Sequence, residues 1–290
     1  MIALAGDLAA ALEAALHHSL SEARPLRGGD VAASFRVELS DGSTVFAKTH
    51  LSPPPLFFST EAAGLAWLRE ADTVAVPEVL GYSDDPPFLA LEWIDERRGG
   101  GDAGTEEAFG AALARLHRAG APAFGREDRR ATTSRRLPND PCATWVEFYA
   151  TRRLLPLARL ARDAEALDAA VIGRVESLAA RLDALAGPPE TPARLHGDLW
   201  AGNRLIDAAG TSWLIDPAAF GGDREFDLAM IRLFGGFGAE CFASYQQAWP
   251  LAEGWERRVP LYQLAPLITH AIKFGGGYVG AVSVALSELA

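Results

Sequence analysis

The sequence predicts an α+β protein in which a small N-terminal part built on antiparallel strands precedes a larger, mainly helical C-terminal part. Alternating apolar residues flank an Asp41-Gly42 turn, a strong hairpin signal. Beyond about residue 105 the apolar residues mostly recur at helical spacing instead. Between the two patterns lie Ile94-Asp95-Glu96 and the Gly99-Gly100-Gly101 run, where a hinge is expected between parts spanning 1–94 and 95–290. At 290 residues the chain can bury one substantial core or two unequal lobes.

Leu4–Ser19 reads as a first helix. Gly28-Gly29-Asp30-Val31-Ala32-Ala33-Ser34 is a small-residue loop that lets backbone amides approach a phosphate, although it lacks the full G-x-G-x-x-G spacing. Strands are expected over Ser34–Leu39, over Thr44–Lys48 and over Phe88–Trp93, with an Ala/Leu-rich helix, opened by Glu61, over Thr60–Glu70. Thr105 is the expected cap of a helix carrying Phe109, Leu113 and Leu116 on one face. His117, at the end of that face, reads as a packed core histidine without a chemical role. The pattern is helical from Thr144 to about Ala186, where Gly187-Pro188-Pro189 ends it. Two short strands, 204–207 and 211–215, flank Ala208-Ala209-Gly210, and helices follow over about 239–249, 256–272 and 278–289.

The chemistry concentrates in His196-Gly197-Asp198, Asn203 and Ile215-Asp216-Pro217. That order suits phosphoryl transfer: a carboxylate to orient a hydroxyl nucleophile, then an amide oxygen and a second carboxylate to hold Mg²⁺ on the triphosphate of ATP. The intervening hairpin returns Asp216 toward Asn203. Asp198 is therefore the expected base, with Asn203 and Asp216 the expected metal ligands. Upstream, Lys48 ends Thr44-Val45-Phe46-Ala47-Lys48, where a lysine reaches the α- and β-phosphates and Glu61 on the next helix is its expected partner. Gly28 and Gly29 are placed near the phosphates, and the backbones of Glu92, Trp93 and Ile94 near the adenine. Trp200, two residues after the expected base, either walls the acceptor site or packs the catalytic loop.

A net charge of −11 argues against nucleic acid and suits a neutral or cationic small substrate. The arginine-rich segment from Arg126 to Arg136 is interleaved with acids and reads as a solvated loop. Apolar residues are spread along the chain, so no membrane span is expected, and the N-terminal stretch lacks a signal-peptide pattern. Cys142 and Cys241 have neither disulfide-framework nor metal-ligand spacing, which points to a reducing, cytoplasmic setting.

These motifs together resemble the fructosamine kinase, or ketosamine-3-kinase, family within the aminoglycoside-phosphotransferase-like and choline-kinase-like group. The resemblance runs from Gly28-Gly29-Asp30 and Val45-Phe46-Ala47-Lys48 through Leu91-Glu92-Trp93 and Leu195-His196-Gly197-Asp198-Leu199-Trp200 to Arg224-Glu225-Phe226-Asp227-Leu228-Ala229-Met230. Trp200 and the Glu-x-Asp-Leu-Ala-Met segment are the features that favour this family over aminoglycoside-modifying relatives. It implies a two-lobed protein-kinase-like fold, ATP with Mg²⁺, and phosphorylation of a sugar hydroxyl, the 3-hydroxyl, in a ketosamine such as a fructosamine or ribulosamine, free or protein-bound, in deglycation. It also implies that Asp227 braces the catalytic loop. A monomer is expected. Between Gly28 and Arg36 the chain has no cysteine of the kind that some members carry for redox-linked dimerisation. Two other readings stay open: a kinase of another hydroxylated amine, aminoglycoside- or choline-like, and a catalytically silent binding protein on a kinase scaffold.

Overall fold

The computed structural model describes residues 6–26, 32–97, 99–132 and 135–290. The expectation placed on Gly28 and Gly29 lies outside the described residues. The N-terminal lobe is a five-stranded antiparallel sheet of β1 (Leu20–Pro25), β2 (Ala33–Leu39), β3 (Thr44–Thr49), β4 (Val79–Asp84) and β5 (Pro87–Glu92). Its spatial order is β1-β2-β3-β5-β4. In the β2–β3 turn, Asp41 Oδ1 accepts from the Ser43 amide at 2.9 Å and the Ser43 hydroxyl at 2.7 Å, while Gly42 takes φ 88°. Sequence reasoning missed β1 and β4, the two edge strands. Edge positions tolerate polar residues and the Pro25 of β1, so they lack the alternation that marks a half-buried strand.

Helix α1 (Gly6–Leu16) buries Leu8 and Leu12 against Phe35, Val37, Val45 and Phe88 of the sheet. Helix α2 (Phe57–Arg69) begins a turn earlier than the sequence suggests. Its start is capped from another element: Asp84 Oδ1, at the end of β4, accepts from the amides of Phe58 at 3.0 Å and Ser59 at 3.3 Å. Glu61 therefore sits in the second turn, facing the sheet, rather than at a helix N-terminus.

In the C-terminal lobe, α3 (Ala103–Arg118) is capped by Asp102, whose Oδ1 accepts from the Thr105 amide and hydroxyl, both at 2.9 Å, so Thr105 is capped rather than capping. The expected helical stretch 144–186 is subdivided. Helix α4 (Trp145–Phe148) runs through a π-helical turn, Tyr149–Leu154, into α5 (Leu155–Asp163), and Asp168 starts α6 (Ala169–Ala179) anew by accepting from the Val171 amide at 2.8 Å. Two small sheets follow, β6 (Ala193–Leu195) with β9 (Phe220–Gly222) and β7 (Arg204–Ile206) with β8 (Ser212–Leu214). Helices α7 (Glu225–Phe234), α8 (Ala239–Ala248), α9 (Trp255–Phe274) and α10 (Gly277–Glu288) complete the lobe. Its main core gathers around Trp145, whose ring lies near those of Phe148, Tyr149, Phe220, Phe226 and Tyr262 and whose Nε1 donates to the Tyr262 hydroxyl at 3.2 Å. Ala193 and Leu195 of β6 and Phe220 of β9 belong to the same core. Among the described residues no helix is long and apolar enough to cross a membrane.

Candidate active site

Strand β6 ends at Leu195, and His196-Gly197-Asp198 turns into the cleft between the lobes. Gly197 has φ 80°, and a Cβ there would meet the Ala218 carbonyl oxygen at 2.4 Å, so no side chain fits. The fully buried Asp227 holds this turn from below: Oδ2 accepts from the His196 amide at 2.7 Å and Oδ1 from the Gly197 amide at 2.9 Å. His117 Nε2 lies 3.3 Å from the same carboxylate and Nδ1 lies 2.8 Å from the Tyr245 hydroxyl. A carboxylate only accepts, so His117 donates to it through Nε2. His117 thus belongs to the support of the catalytic turn. Its distance in sequence from Asp227 kept that role out of reach of local patterns. His196 is itself buried, donates from Nε2 to the Ile215 carbonyl at 2.9 Å and accepts the Asp198 amide at Nδ1 at 3.2 Å; burial lowers its pKa and keeps the ring neutral.

Asn203 Nδ2 donates to the Asp198 carbonyl at 2.8 Å and to Asp198 Oδ2 at 3.1 Å, which leaves Asn203 Oδ1 as an oxygen donor for a cation. The amide of Ile215 donates to the Asn203 carbonyl at 3.0 Å, tying the approach to Asp216 onto the same turn. Burial raises the Asp198 pKa to about 7; the Asn203 amide opposes the shift, while Asp216 and Asp227 add to it. No ion pair to Asp198 is found among the described residues.

Across the cleft the buried Lys48 ammonium lies 2.5 Å from Glu61 Oε1 and 2.7 Å from Asp216 Oδ1. Burial alone would lower the lysine pKa, but the two carboxylates outweigh it and keep the ammonium charged. Burial pushes the Asp216 carboxyl up, yet Lys48 beside it prevails and holds it below its ordinary value. Asp216 also takes φ 52°, a left-handed conformation that costs a non-glycine residue roughly 1–3 kcal/mol and that gathers at functional sites.

Asn203 Oδ1 and the half-exposed Asp216 carboxylate make an open pair of hard oxygens. Mg²⁺ is ordinarily bound by one or two such protein groups, with phosphate oxygens and water completing the octahedron, so these residues fit the ion. On the nucleotide side, Glu92 at the end of β5 is tied to Glu78. Its amide is spent on the Glu78 carbonyl at 2.9 Å, while its Oε2 accepts from the Glu78 amide at 3.1 Å. Trp93 and Ile94 follow the end of β5, with Arg36 stacked 5.4 Å from the Trp93 ring centroid and Trp93 Nε1 donating to Asp95 at 2.7 Å.

A cavity opens beside Asp198 and Asp216, floored by Leu157, Phe220 and Phe226 and walled by Met230, Arg135, Arg153, Thr269 and His270. Sequence reasoning singled out none of these wall residues as site residues. The arginine-rich run was the available signal for Arg135, and His270 stands on α9 one turn before the glycines that end the helix. His270 donates from Nδ1 to the Pro266 carbonyl at 2.8 Å, which leaves Nε2 as the acceptor; burial lowers its pKa. Trp200 is 41% exposed and lies outside the core. Its ring folds over Gly202, where a Cβ would come within 2.3 Å, and meets Phe234 edge-on at 6.2 Å; Phe234 in turn lies 4.8 Å from His270. Trp200 thus packs on the loop that follows Asp198, outside the cavity lining and linked to it through Phe234 and His270.

A sheet lobe over a helical lobe, with the lysine–glutamate pair and the Asp198, Asn203 and Asp216 oxygens in the cleft, defines a protein-kinase-like phosphotransferase. The fructosamine kinase family model matches residues 6–290, and the chain belongs to that family. A "Probable ketoamine kinase" of Lactiplantibacillus plantarum is 34% identical over 273 residues, covering 93% of this chain and 94% of that protein. The "Protein-ribulosamine 3-kinase, chloroplastic" of Arabidopsis thaliana is 33% identical over 245 residues, 82% of this chain and 74% of the plant protein. A crystal structure of a candidate fructosamine-3-kinase from Thermobifida fusca superimposes with a TM-score of 0.89 at 38% identity, covering 98% of this chain and 99% of the other.

Proposed function

We propose that the protein transfers the γ-phosphoryl group of ATP, with Mg²⁺, to the 3-hydroxyl of a ketoamine of the fructosamine or ribulosamine type, as a deglycation enzyme. One observation carries the reading: Asp198, Asn203 and Asp216 stand in the cleft opposite the buried Lys48–Glu61 pair, beside a cavity floored by Leu157, Phe220 and Phe226. The bound Mg²⁺–ATP supplies the phosphoryl donor and neutralises its charge. Asn203 Oδ1 and Asp216 hold the metal. Lys48, kept charged and oriented by Glu61, contacts the phosphates. Asp198, with a pKa near neutral, accepts the proton of the acceptor hydroxyl and orients that oxygen in line with the phosphorus. Trp200, on the loop that follows Asp198, covers the C–H surface of the acceptor. Both cysteines are free and buried, which supports a reducing cytoplasmic setting, and we read the working form as a monomer.

The test is to incubate the enzyme with ATP and Mg²⁺ against fructose- and ribulose-derived ketoamines, with aminoglycosides and choline alongside. Mass spectrometry and NMR of the products are expected to show one phosphate at the 3-hydroxyl of the ketoamine. Robust aminoglycoside phosphorylation with no ketoamine product would overturn the acceptor assignment.

A further inference from the structure

The acceptor cavity carries positive charge that a neutral or cationic acceptor does not need. Arg135 and Arg153 both line it, in a chain whose net charge is −11, and neither has a carboxylate within ion-pair distance among the described residues. Arg126 and Arg130, in the same arginine-rich segment as Arg135, pair with Asp128 and Glu127. Arg129 and Arg136 reach over to the Ser59 and Pro55 carbonyls of the N-terminal lobe. Within the segment Thr132 and Arg135 line the cavity, while Glu127, Asp128 and Arg130 are exposed.

The two cavity arginines are differently occupied. Arg153 lies between the rings of Phe148 at 4.6 Å and Phe220 at 4.4 Å, and its donors are spent on the Pro138 and Arg152 carbonyls and on Asn139 Oδ1. It is a structural cation that adds positive potential to the floor. Arg135 makes one hydrogen bond among the described residues, from Nη2 to the Thr269 carbonyl at 3.0 Å. The rest of its fork of donors, the geometry that matches carboxylate and phosphate, has no hydrogen-bond partner among the described residues, and the residue lines the cavity. Burial depresses the pKa of both guanidinium groups, and no acidic group opposes that depression for Arg135. A half-buried cation in this state gains most from an anionic ligand.

We propose that the acceptor of this enzyme carries an anionic group, carboxylate or phosphate, remote from the hydroxyl presented to Asp198, and that Arg135 binds it. The inference rests on the ketoamine reading above and narrows it. The anion has two sources: the carboxylate of a free amino acid that supplied the amine, or a phosphate on the far end of the sugar. In the first case the acceptor is a small free adduct, because within a protein chain that carboxylate is consumed in a peptide bond.

The experiment measures kcat/KM for three acceptors: a ketoamine of a neutral amine, a ketoamine of glycine, and a ketoamine of the neutral amine built from a sugar phosphate. The wild type is expected to favour one anionic acceptor by about 10–100-fold, mainly through KM, the scale of charge-assisted hydrogen bonds. In Arg135→Gln that ratio is expected to collapse toward one, and Arg135→Lys to restore part of it, with thermal melts showing all variants folded. Preference for the glycine adduct identifies the carboxylate, and preference for the sugar phosphate identifies the phosphate. A wild type that takes the neutral acceptor as well as either anionic one overturns the inference and leaves the ketoamine reading intact. An equal loss on all three acceptors in Arg135→Gln makes the residue a brace for the cavity wall through Thr269 and overturns it as well. If no ketoamine is phosphorylated, the ketoamine reading itself falls and takes this inference with it.

Discussion

Asp198 and Asp216 carry the same side chain and face the same cleft, yet they sit in opposite electrostatic settings. Asp198 accepts from an amide donor and has no ion pair among the described residues, and burial raises its pKa to about 7. Asp216 lies 2.7 Å from a buried ammonium and is pressed below the ordinary carboxylate range. Residue type alone therefore assigns neither role. The difference comes from where one lysine points, and on the proposed mechanism it separates a group that takes a proton from a group that stays charged to hold a metal.

Replacing the base should have the largest effect. Asp198→Asn is expected to lower kcat by roughly 10²–10⁴ while the fold and nucleotide affinity persist, checked by steady-state kinetics beside a melting curve. Near-normal turnover in the folded variant would remove Asp198 from the base role. Removing the cation that distinguishes the two aspartates comes next. Lys48→Met leaves Glu61 as a buried, unpaired carboxylate, so urea denaturation should report a loss of roughly 3–5 kcal/mol, with part of it recovered in Lys48→Met/Glu61→Leu. A single variant as stable as wild type would show that the pair is not dry. Asp216→Asn keeps the shape but removes the charge; the Mg²⁺ concentration needed for half-maximal nucleotide binding should rise at least as much as the roughly 10–100-fold seen for outer-shell losses. An unchanged Mg²⁺ titration would contradict its place as a ligand.

Trp200→Ala tests the loop that follows Asp198. KM for the ketoamine should rise by about 2–10-fold, the worth of an aromatic face. The stability loss should fall short of the roughly 3–5 kcal/mol typical of a buried Trp→Ala change. A full-sized stability loss with unchanged KM would reverse that assignment. The finest test is the pH profile. Because Asp198 acts as a base only when deprotonated and its pKa is raised, kcat/KM should climb with pH through about 7. The Lys273 ammonium favours the ionised form of Asp198, so Lys273→Met should move the rise to higher pH. A rise centred near the usual carboxylate value, or a shift toward lower pH in the variant, would break the contrast between the two aspartates.

The β2–β3 hairpin was legible because Asp41-Gly42 and the alternation around it are local, and the final three helices because their breakers, Pro250, Gly254 and Gly275, are local too. The starts of α2 and α3 were misplaced where a cap came from elsewhere or from one turn upstream. Asp84 lies 26 residues from the Phe58 amide it accepts, and no window around Phe58 contains it. The arginine-rich segment reads as solvated by composition, because composition does not say which carbonyls and which cavity its side chains will meet.

The order His196-Gly197-Asp198, Asn203, Asp216, the hairpin ending in Lys48 and the division into a strand-rich and a helix-rich part all follow from turn chemistry and periodicity, which act within a few residues. Only the tertiary structure decided that Lys48 would reach across 168 residues to Asp216, that His117 would join Asp227 beneath the His196-Gly197-Asp198 turn, and that Arg135 would line the cavity beside Asp198. These are matters of desolvation and of charge at a few ångströms. Both depend on every neighbour that folding brings together, and no local stretch of chain contains those neighbours.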